Sequence, residues 1–232
     1  RNAFDLDLYR QLSLAYGELH RNPNIRCGVL YAKGDHFTAG LDLPEWAECF
    51  SRGQFPELPK AGMDPLGLDP DRQVGKPVVM AVQGTCLTIG LELLLACDIR
   101  VAADTVRFGQ IEIKRGIYPV GGATVRLFQE VGWGNAMRYL LTGDDITAKE
   151  AFRLGLVQEV TPAQACLDTA LAIAETISKQ APLGVAASLR SSRLARSHGD
   201  QAAIDRLLPD LMPLMKTRDV QEGLASFLER RE

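Results

Sequence analysis

The 232-residue sequence predicts an α/β fold followed by an all-helical C-terminal region. Three observations carry that prediction. Val78-Val79-Met80-Ala81-Val82 reads as a strand buried on both faces, placed directly after Pro77. A turn at Gly84 leads into an apolar helical run from about Ile89 to Cys97, and Ile99 to Ala102 reads as a further strand. Beyond residue 161 only helical periodicity remains. The chain therefore divides into a mixed region, 1–160, and a helical region, 161–232.

The flanking elements follow in order. Residues 4–20 place Leu8, Leu12, Ala15 and Leu19 at helical spacing, and Asn22-Pro23 ends the run. Cys27 to Tyr31 is a short strand candidate, and the turn Lys33-Gly34-Asp35 leads into Phe37-Thr38-Ala39-Gly40-Leu41-Asp42-Leu43. Residues 44–75 break the pattern with five prolines and four glycines. We read them as a partly ordered lid or pocket wall, a plain surface excursion being the alternative. Gly121-Gly122 opens an amphipathic helix to about Val131, closed by Gly132, and a shorter helix runs from Ala136 to Leu141. Thr147-Ala148-Lys149-Glu150 fits a capping box, with Gly155 closing its helix. Leu156-Val157 reads as a short buried strand and Thr161-Pro162 as a helix start, and the last helix opens at Asp219.

Composition excludes several function classes. A formal net charge of −3 gives no global pull toward nucleic acid or an anionic membrane. No apolar run reaches the ~18 residues of a membrane span. Five scattered cysteines without CxxC spacing point to reduced thiols in a cytoplasmic compartment, and three histidines without ligand spacing argue against a metal site. The chain starts at Arg1, so a targeting peptide is not in view. Gly132-Trp133-Gly134 lacks both the third glycine and the preceding strand of a dinucleotide fingerprint.

One residue stands out against this background. Glu92 is the sole charge between Lys76 and Asp98, set in TCLTIGLELLLAC. A carboxylate there must face a cavity, find a partner or hold its proton against desolvation. With a helix beginning near Ile89, Glu92 shares a face with the Ile89 N–H, a donor with no intrahelical acceptor. That pairing suits an oxyanion site; a buried carboxyl satisfied by a basic partner or backbone is an equal alternative. Glu112 lies in a second mostly apolar stretch, FGQIEI, beside Lys114 and Arg115.

The run from Lys76 to Leu127 resembles the signature region of the crotonase (enoyl-CoA hydratase/isomerase) superfamily. FTAGLDL at 37–43 is similar to that family's F-x-A-G-x-D-L motif, LLTGDDITAKEAFRLGLVQEV at 140–160 to its next block, and RDVQEGLASFLERR at 218–231 to its C-terminal helix. The opening Arg1-Asn2-Ala3 matches a segment that in the family follows an N-terminal strand pair. The resemblance implies a spiral of ββα units with a C-terminal helical region used to form a homotrimer or a dimer of trimers. It implies an acyl-CoA substrate, with coenzyme A part of the substrate and no separate cofactor or metal. The thioester oxygen would be held by the backbone N–H groups of Leu41 and Ile89. Glu92 would help to activate water for attack at C3 of a 2-enoyl thioester, and Glu112 would deliver the proton to C2. Arg1, Ala3, Thr38, Ala39, Gly40, Pro119 and Gly121 map to acyl- or CoA-contacting positions, and Phe227 to an aromatic near the ligand of a neighbouring subunit, core packing being the alternative. Nucleic acid and membrane are not expected partners.

The sequence departs from the family at Thr88 and Ile89, where hydratases usually show consecutive glycines, and at Leu41, where alanine is common. Both donors survive as backbone atoms, but the surrounding shape changes. The alternatives to hydration are another reaction of the same fold (isomerisation, dehalogenation, thioester hydrolysis, C–C chemistry) or a non-catalytic acyl-CoA- or RNA-binding relative. Arg190, Arg193 and Arg196 share a helical face that could meet a phosphate, a solvated or intersubunit face being the expectation. Asp42 and Asp98 read as structural, and Phe128 and Trp133 as core.

Overall fold

A computed structural model describes residues 2–229. The first helix, α1 (Leu6–Arg21), is capped by Asp5, whose carboxylate accepts the Leu8 N–H at 2.7 Å. It ends at Asn22 because the residue before a proline avoids the helical region. Its buried face differs from the one the aliphatic spacing predicts. Tyr9, Ser13, Tyr16 and Leu19 point inward, while Leu8 and Ala15 are exposed. The tyrosines bury more area and find partners: the Tyr9 ring meets Trp46 edge-on at 5.2 Å, and the Tyr16 hydroxyl lies 3.9 Å from Cys97 Sγ.

Strand β1 (Gly28–Leu30) follows, and then helix α2 (Leu43–Ser51), inside the stretch that periodicity leaves unassigned. Trp46 of α2 is fully buried, donates to the Phe4 carbonyl at 2.8 Å and packs with Phe50 and Phe55. The rest of residues 44–75 is ordered by polar anchors rather than by repeating structure. Asp64 accepts the N–H groups of Leu66, Leu68 and Asp69, and Arg126 donates to the carbonyls of Leu66 and Gly67. Those anchors order the stretch, and Phe50 of α2 is its one residue against the main cleft.

The centre is built from β2 (Val78–Val82), β3 (Thr85–Leu87), α3 (Ile89–Ala96), β4 (Ile99–Ala103), β5 (Arg107–Gly109), α4 (Ala123–Val131) and α5 (Trp133–Thr142). Beyond them lie β6 (Ile146–Thr147), α6 (Ala148–Arg153) and β7 (Glu159–Thr161). One sheet is parallel with order β1-β2-β4-β7. The other has order β3-β5-β6, and an isolated Thr38–Cys86 bridge extends it on the β3 side. Each turn of chain thus lays one strand in each sheet and then a helix: β2-β3-α3, then β4-β5-α4. The first turn does the same with β1, the Thr38 bridge and α2. This is the predicted ββα spiral.

The three-residue strands β3 and β5 carry too few residues for a period-2 signal, and the sequence reading misses both. Leu156 and Val157 are buried as expected but are not a strand; the pairing falls at β7, two residues on. Thr161 ends β7 instead of capping a helix, and a single 3-10 turn at Ala163–Ala165 intervenes before α7 (Cys166–Ser178). Trp133 starts α5 and is exposed, resting edge-on against Phe128 at 5.8 Å, so it is not core.

Strand β2 is apolar throughout because both its faces are covered. Val78, Met80 and Val82 enter the main core beneath α3, whereas Val79 and Ala81 join Val101, Ala103, Cys166, Ala170 and Ala174. The last three, four residues apart, are small, so α7 lies close on the sheet. Helix α8 (Pro182–His198) is fastened by the arginines singled out above. Arg193 donates to the Val74 carbonyl at 2.6 Å and pairs with Asp98 at 3.0 Å, while Asp98 also accepts the Val78 N–H. Arg196 pairs with Glu130, and Arg190 with Asp210. All three engage acceptors within the chain. Helices α9 (Asp200–Ile204), α10 (Leu207–Leu214) and α11 (Arg218–Glu229) complete the helical region. No helix among the described residues is long and apolar enough to cross a membrane.

Candidate active site

The spiral places the start of α3, the segment 39–41 and the turn after β5 around one cleft. It has about 680 Å³ of empty space, open mouth included, and Ala39, Gly40, Leu41, Ile89, Glu92 and Glu112 line it. Segment 39–41 is fixed from both sides. Phe4 donates to the Gly40 carbonyl and accepts from Asp42, which turns the intervening Leu41 N–H away from Phe4. Ile89 is the first residue of α3, and the acceptor four residues back, Thr85, already takes the Thr38 N–H. Among the described residues, neither the Leu41 nor the Ile89 N–H finds an acceptor.

Glu92 is held at the inner end of the cleft and is 4% exposed. The Ala123 N–H, at the start of α4, donates to its carboxylate at 3.2 Å, and the Gly121 N–H also faces it. Gly121 has no room for a side chain: a Cβ there would lie 2.7 Å from Glu92 Cδ. The first glycine of the pair, with Ala123, therefore serves a carboxylate, in keeping with the positive end of a helix. Burial pushes the Glu92 carboxyl up to about 7. The Ala123 and Gly121 N–H groups and Arg126 oppose the rise, and the Glu112 charge adds to it.

Glu112 begins a 3-10 turn, Glu112–Arg115, that Gly116 closes in the left-handed region at φ 76°. It is half-buried, and burial raises its carboxyl to about 7 as well. Gln110 is 1% exposed, and with its amide turned to satisfy its neighbours it donates to both Glu112 oxygens, at 2.9 and 3.0 Å. The sequence reading passes over Gln110; its only signal is a polar residue two positions before Glu112. Leu43, Phe50, Thr88, Ile111, Arg115, Ile117, Tyr118 and Val120 complete the wall; Phe50 falls in the stretch read as a lid or pocket wall, whereas the segment around Glu112 supplies five residues that carry no signal of their own.

Other expected contact residues lie elsewhere. Thr38 is fully buried; its hydroxyl donates to the Asn2 carbonyl at 2.6 Å and accepts the Gly40 N–H at 3.1 Å, so it shapes the loop rather than the cleft wall. Pro119 is buried and does not line the cleft, and Gly121 packs against Glu92. Ala3 is exposed outside the cleft, and Arg1 lies outside the described residues; Phe227, expected near a neighbouring subunit's ligand, is 81% exposed on α11 and so is not core.

Two carboxyls titrating near 7 make folding stability depend on pH. A folded-state value above the ordinary 4.5 means that the folded chain holds these protons more tightly than the unfolded chain. Their stabilisation is full below pH 4.5 and is lost as pH rises through about 7. Wild-type Tm is therefore expected to fall as pH rises from about 4.5 to about 7 and to level off above that. A Glu92→Gln, Glu112→Gln double variant should lose most of that slope in differential scanning fluorimetry; an unchanged slope would assign it to other groups.

Comparison with known proteins agrees with this geometry. The family model described as enoyl-CoA hydratase/isomerase matches residues 1–232. The chain is 34% identical to the enoyl-CoA hydratase EchA19 of Mycobacterium tuberculosis, covering 100% of this chain and 87% of that one. It is 35% identical to the crotonyl-CoA hydratase of Syntrophomonas wolfei, covering 100% and 88%. The crystal structure of a probable enoyl-CoA hydratase/isomerase from Mycobacterium abscessus superposes with a TM-score of 0.95 at 48% identity, covering 100% of this chain and 88% of that one. Matched along its whole length in sequence and in fold, the chain belongs to the enoyl-CoA hydratase/isomerase family and has the crotonase fold.

Proposed function

We propose that this protein is an enoyl-CoA hydratase, adding water across the 2,3 double bond of a 2-enoyl-CoA thioester. The observation that carries the reading is the meeting of two carboxyls and two unspent backbone N–H groups in one cleft. The relatives named as hydratases of enoyl-CoA and crotonyl-CoA support it. Leu41 and Ile89 donate to the thioester oxygen, where enolate charge grows as water attacks C3. Glu92 and Glu112 bind that water between them. Two carboxyls that both titrate near 7 at one site share protons unequally, so one ionised and one neutral group coexist at neutral pH. The ionised Glu92 takes the proton of the attacking water, and neutral Glu112 gives its own to C2. Atoms balance, because one water is consumed and the two carboxyls end with exchanged protonation. Coenzyme A enters as part of the substrate, and the scheme needs no cofactor or metal.

The cleft wall suggests the acyl group. Leu41, Leu43, Phe50 and Ile89 offer apolar, branched and aromatic contacts around the carbonyl position, favouring an acyl chain shaped to that wall over an unsubstituted long chain. The helical region supports assembly as a homotrimer or dimer of trimers: Leu207, Leu208, Met212 and Phe227 leave a run of exposed apolar side chains on α10 and α11. We also assign the protein to the cytoplasm, a reading supported by its five free cysteines.

A panel of 2-enoyl-CoA thioesters of varied length and branching tests the reaction through loss of the conjugated-thioester absorbance. Turnover of at least one member is expected. Faster conversion of a 3-enoyl-CoA would make the enzyme an isomerase, and binding without turnover across the panel would make it a non-catalytic acyl-CoA-binding protein.

A further inference from the structure

Thr88 combines three features that the scheme above leaves unused. It has φ 51° and ψ −116°, a conformation that a residue with a β-branched side chain adopts only at a cost in backbone energy. Its hydroxyl is buried and meets no hydrogen-bond partner. The residue itself lines the cleft. The hydroxyls of Ser13 and Thr161 are also buried without a partner, but neither residue borders the cleft.

Position makes the Thr88 hydroxyl informative. Thr88 immediately precedes Ile89, and Gly40 immediately precedes Leu41. The hydroxyl stands over Gly40, where an added Cβ would lie 2.6 Å from Thr88 Oγ1. The side chain thus spans the gap between the two segments that carry the unspent N–H groups. Rotation about one torsion, χ1, exchanges hydroxyl and methyl at that wall. A buried hydroxyl with no acceptor is costly, and an oxygen bound between the Leu41 and Ile89 donors would supply one.

We propose that the Thr88 hydroxyl donates a third hydrogen bond to the thioester oxygen of a bound acyl-CoA, beside the N–H groups of Leu41 and Ile89. This rests on the cleft being an acyl-CoA site. The bond strengthens as the oxygen gains negative charge, so its effect falls on the chemical step more than on binding. The hydroxyl keeps its proton throughout, and no covalent step involves it.

The test compares Thr88→Val, Thr88→Ser and Thr88→Gly. Thr88→Val keeps the shape and removes the hydroxyl, Thr88→Ser keeps the hydroxyl, and Thr88→Gly removes it while relaxing the backbone, so that variant should fold at least as stably. The readout is the infrared carbonyl stretch of bound butyryl-CoA, a saturated thioester that does not turn over, together with kcat on a 2-enoyl-CoA. Wild type and Thr88→Ser are expected to lower the carbonyl frequency, and Thr88→Val and Thr88→Gly to lose part of that shift. The same two variants should lose about tenfold or more in kcat with KM changed less. A wild-type shift in Thr88→Val and Thr88→Gly would overturn the inference, as would a wild-type protein that does not bind butyryl-CoA. A Thr88-dependent shift in a protein that hydrates nothing would support it and refute the hydratase reading instead.

Discussion

Glu92→Gln and Glu112→Gln are each expected to lower kcat for 2-enoyl-CoA hydration by about 10²-fold to 10⁴-fold, the range of positioned acid–base groups. Glutamine keeps the size and an acceptor oxygen, so the Ala123 N–H that holds Glu92 still has a partner. It removes the ability to take or give a proton. Because both groups act on one water, the double variant should be about as impaired as the worse single, not the product of the two. The absorbance assay measures all three, with thermal melting as a control for folding. Either single variant within tenfold of wild type would refute the assigned roles. The affinity for butyryl-CoA should change little, since neither glutamate holds the carbonyl.

The largest expected loss of stability comes from Arg100→Leu. Arg100 is 3% exposed on β4; it donates to the carbonyls of Leu94, Cys97 and Leu156 and pairs with Glu130 at 3.0 Å. It therefore ties the end of α3, the segment before β7 and the helix α4 to one strand. Burial raises the Glu130 carboxyl, but the hydrogen bond and charge of Arg100, with Arg196 and Arg126, outweigh burial and leave it below its ordinary value. Removing the guanidinium leaves Glu130 to Arg196 alone and takes the donor from the buried Cys97 and Leu156 carbonyls, a loss of about 3 kcal/mol. Urea denaturation should show this as a lower midpoint at unchanged slope. Arg107→Leu, which breaks an exposed pair with Asp145, should leave the midpoint nearly unchanged. Equal effects of the two would remove the special role of Arg100. Since α3 and α4 carry Glu92 and its Ala123 partner, partial unfolding of Arg100→Leu should also appear as lost activity.

Some of this was legible along the chain because the signal is local. A strand covered on both faces is apolar at every position, so β2 announces itself; Gly84, Gly122 and Gly132 mark real turns with positive φ. Glu92 is conspicuous because a charge in an apolar run is costly to bury, and the motifs around it carry the family resemblance. The inward face of α1 was misread because aliphatic spacing outvoted two tyrosines, and helix α2 was missed behind its prolines. Strands β3 and β5 fall below the length at which a period can be counted.

The sequence by itself determined the family and the two glutamates worth testing, because motifs and residue types are read within a short window; the ββα spiral came only as what that resemblance implies. The tertiary structure decided what those residues do to one another. It packed Gly121 against Glu92, raised two ordinary carboxyls to about 7 by burying them, and set Gln110 against one of them. It also placed the Thr88 hydroxyl over Gly40, between two donors drawn from separate turns of the spiral. Desolvation and juxtaposition across distant segments are properties of the folded chain, and no window of sequence contains them.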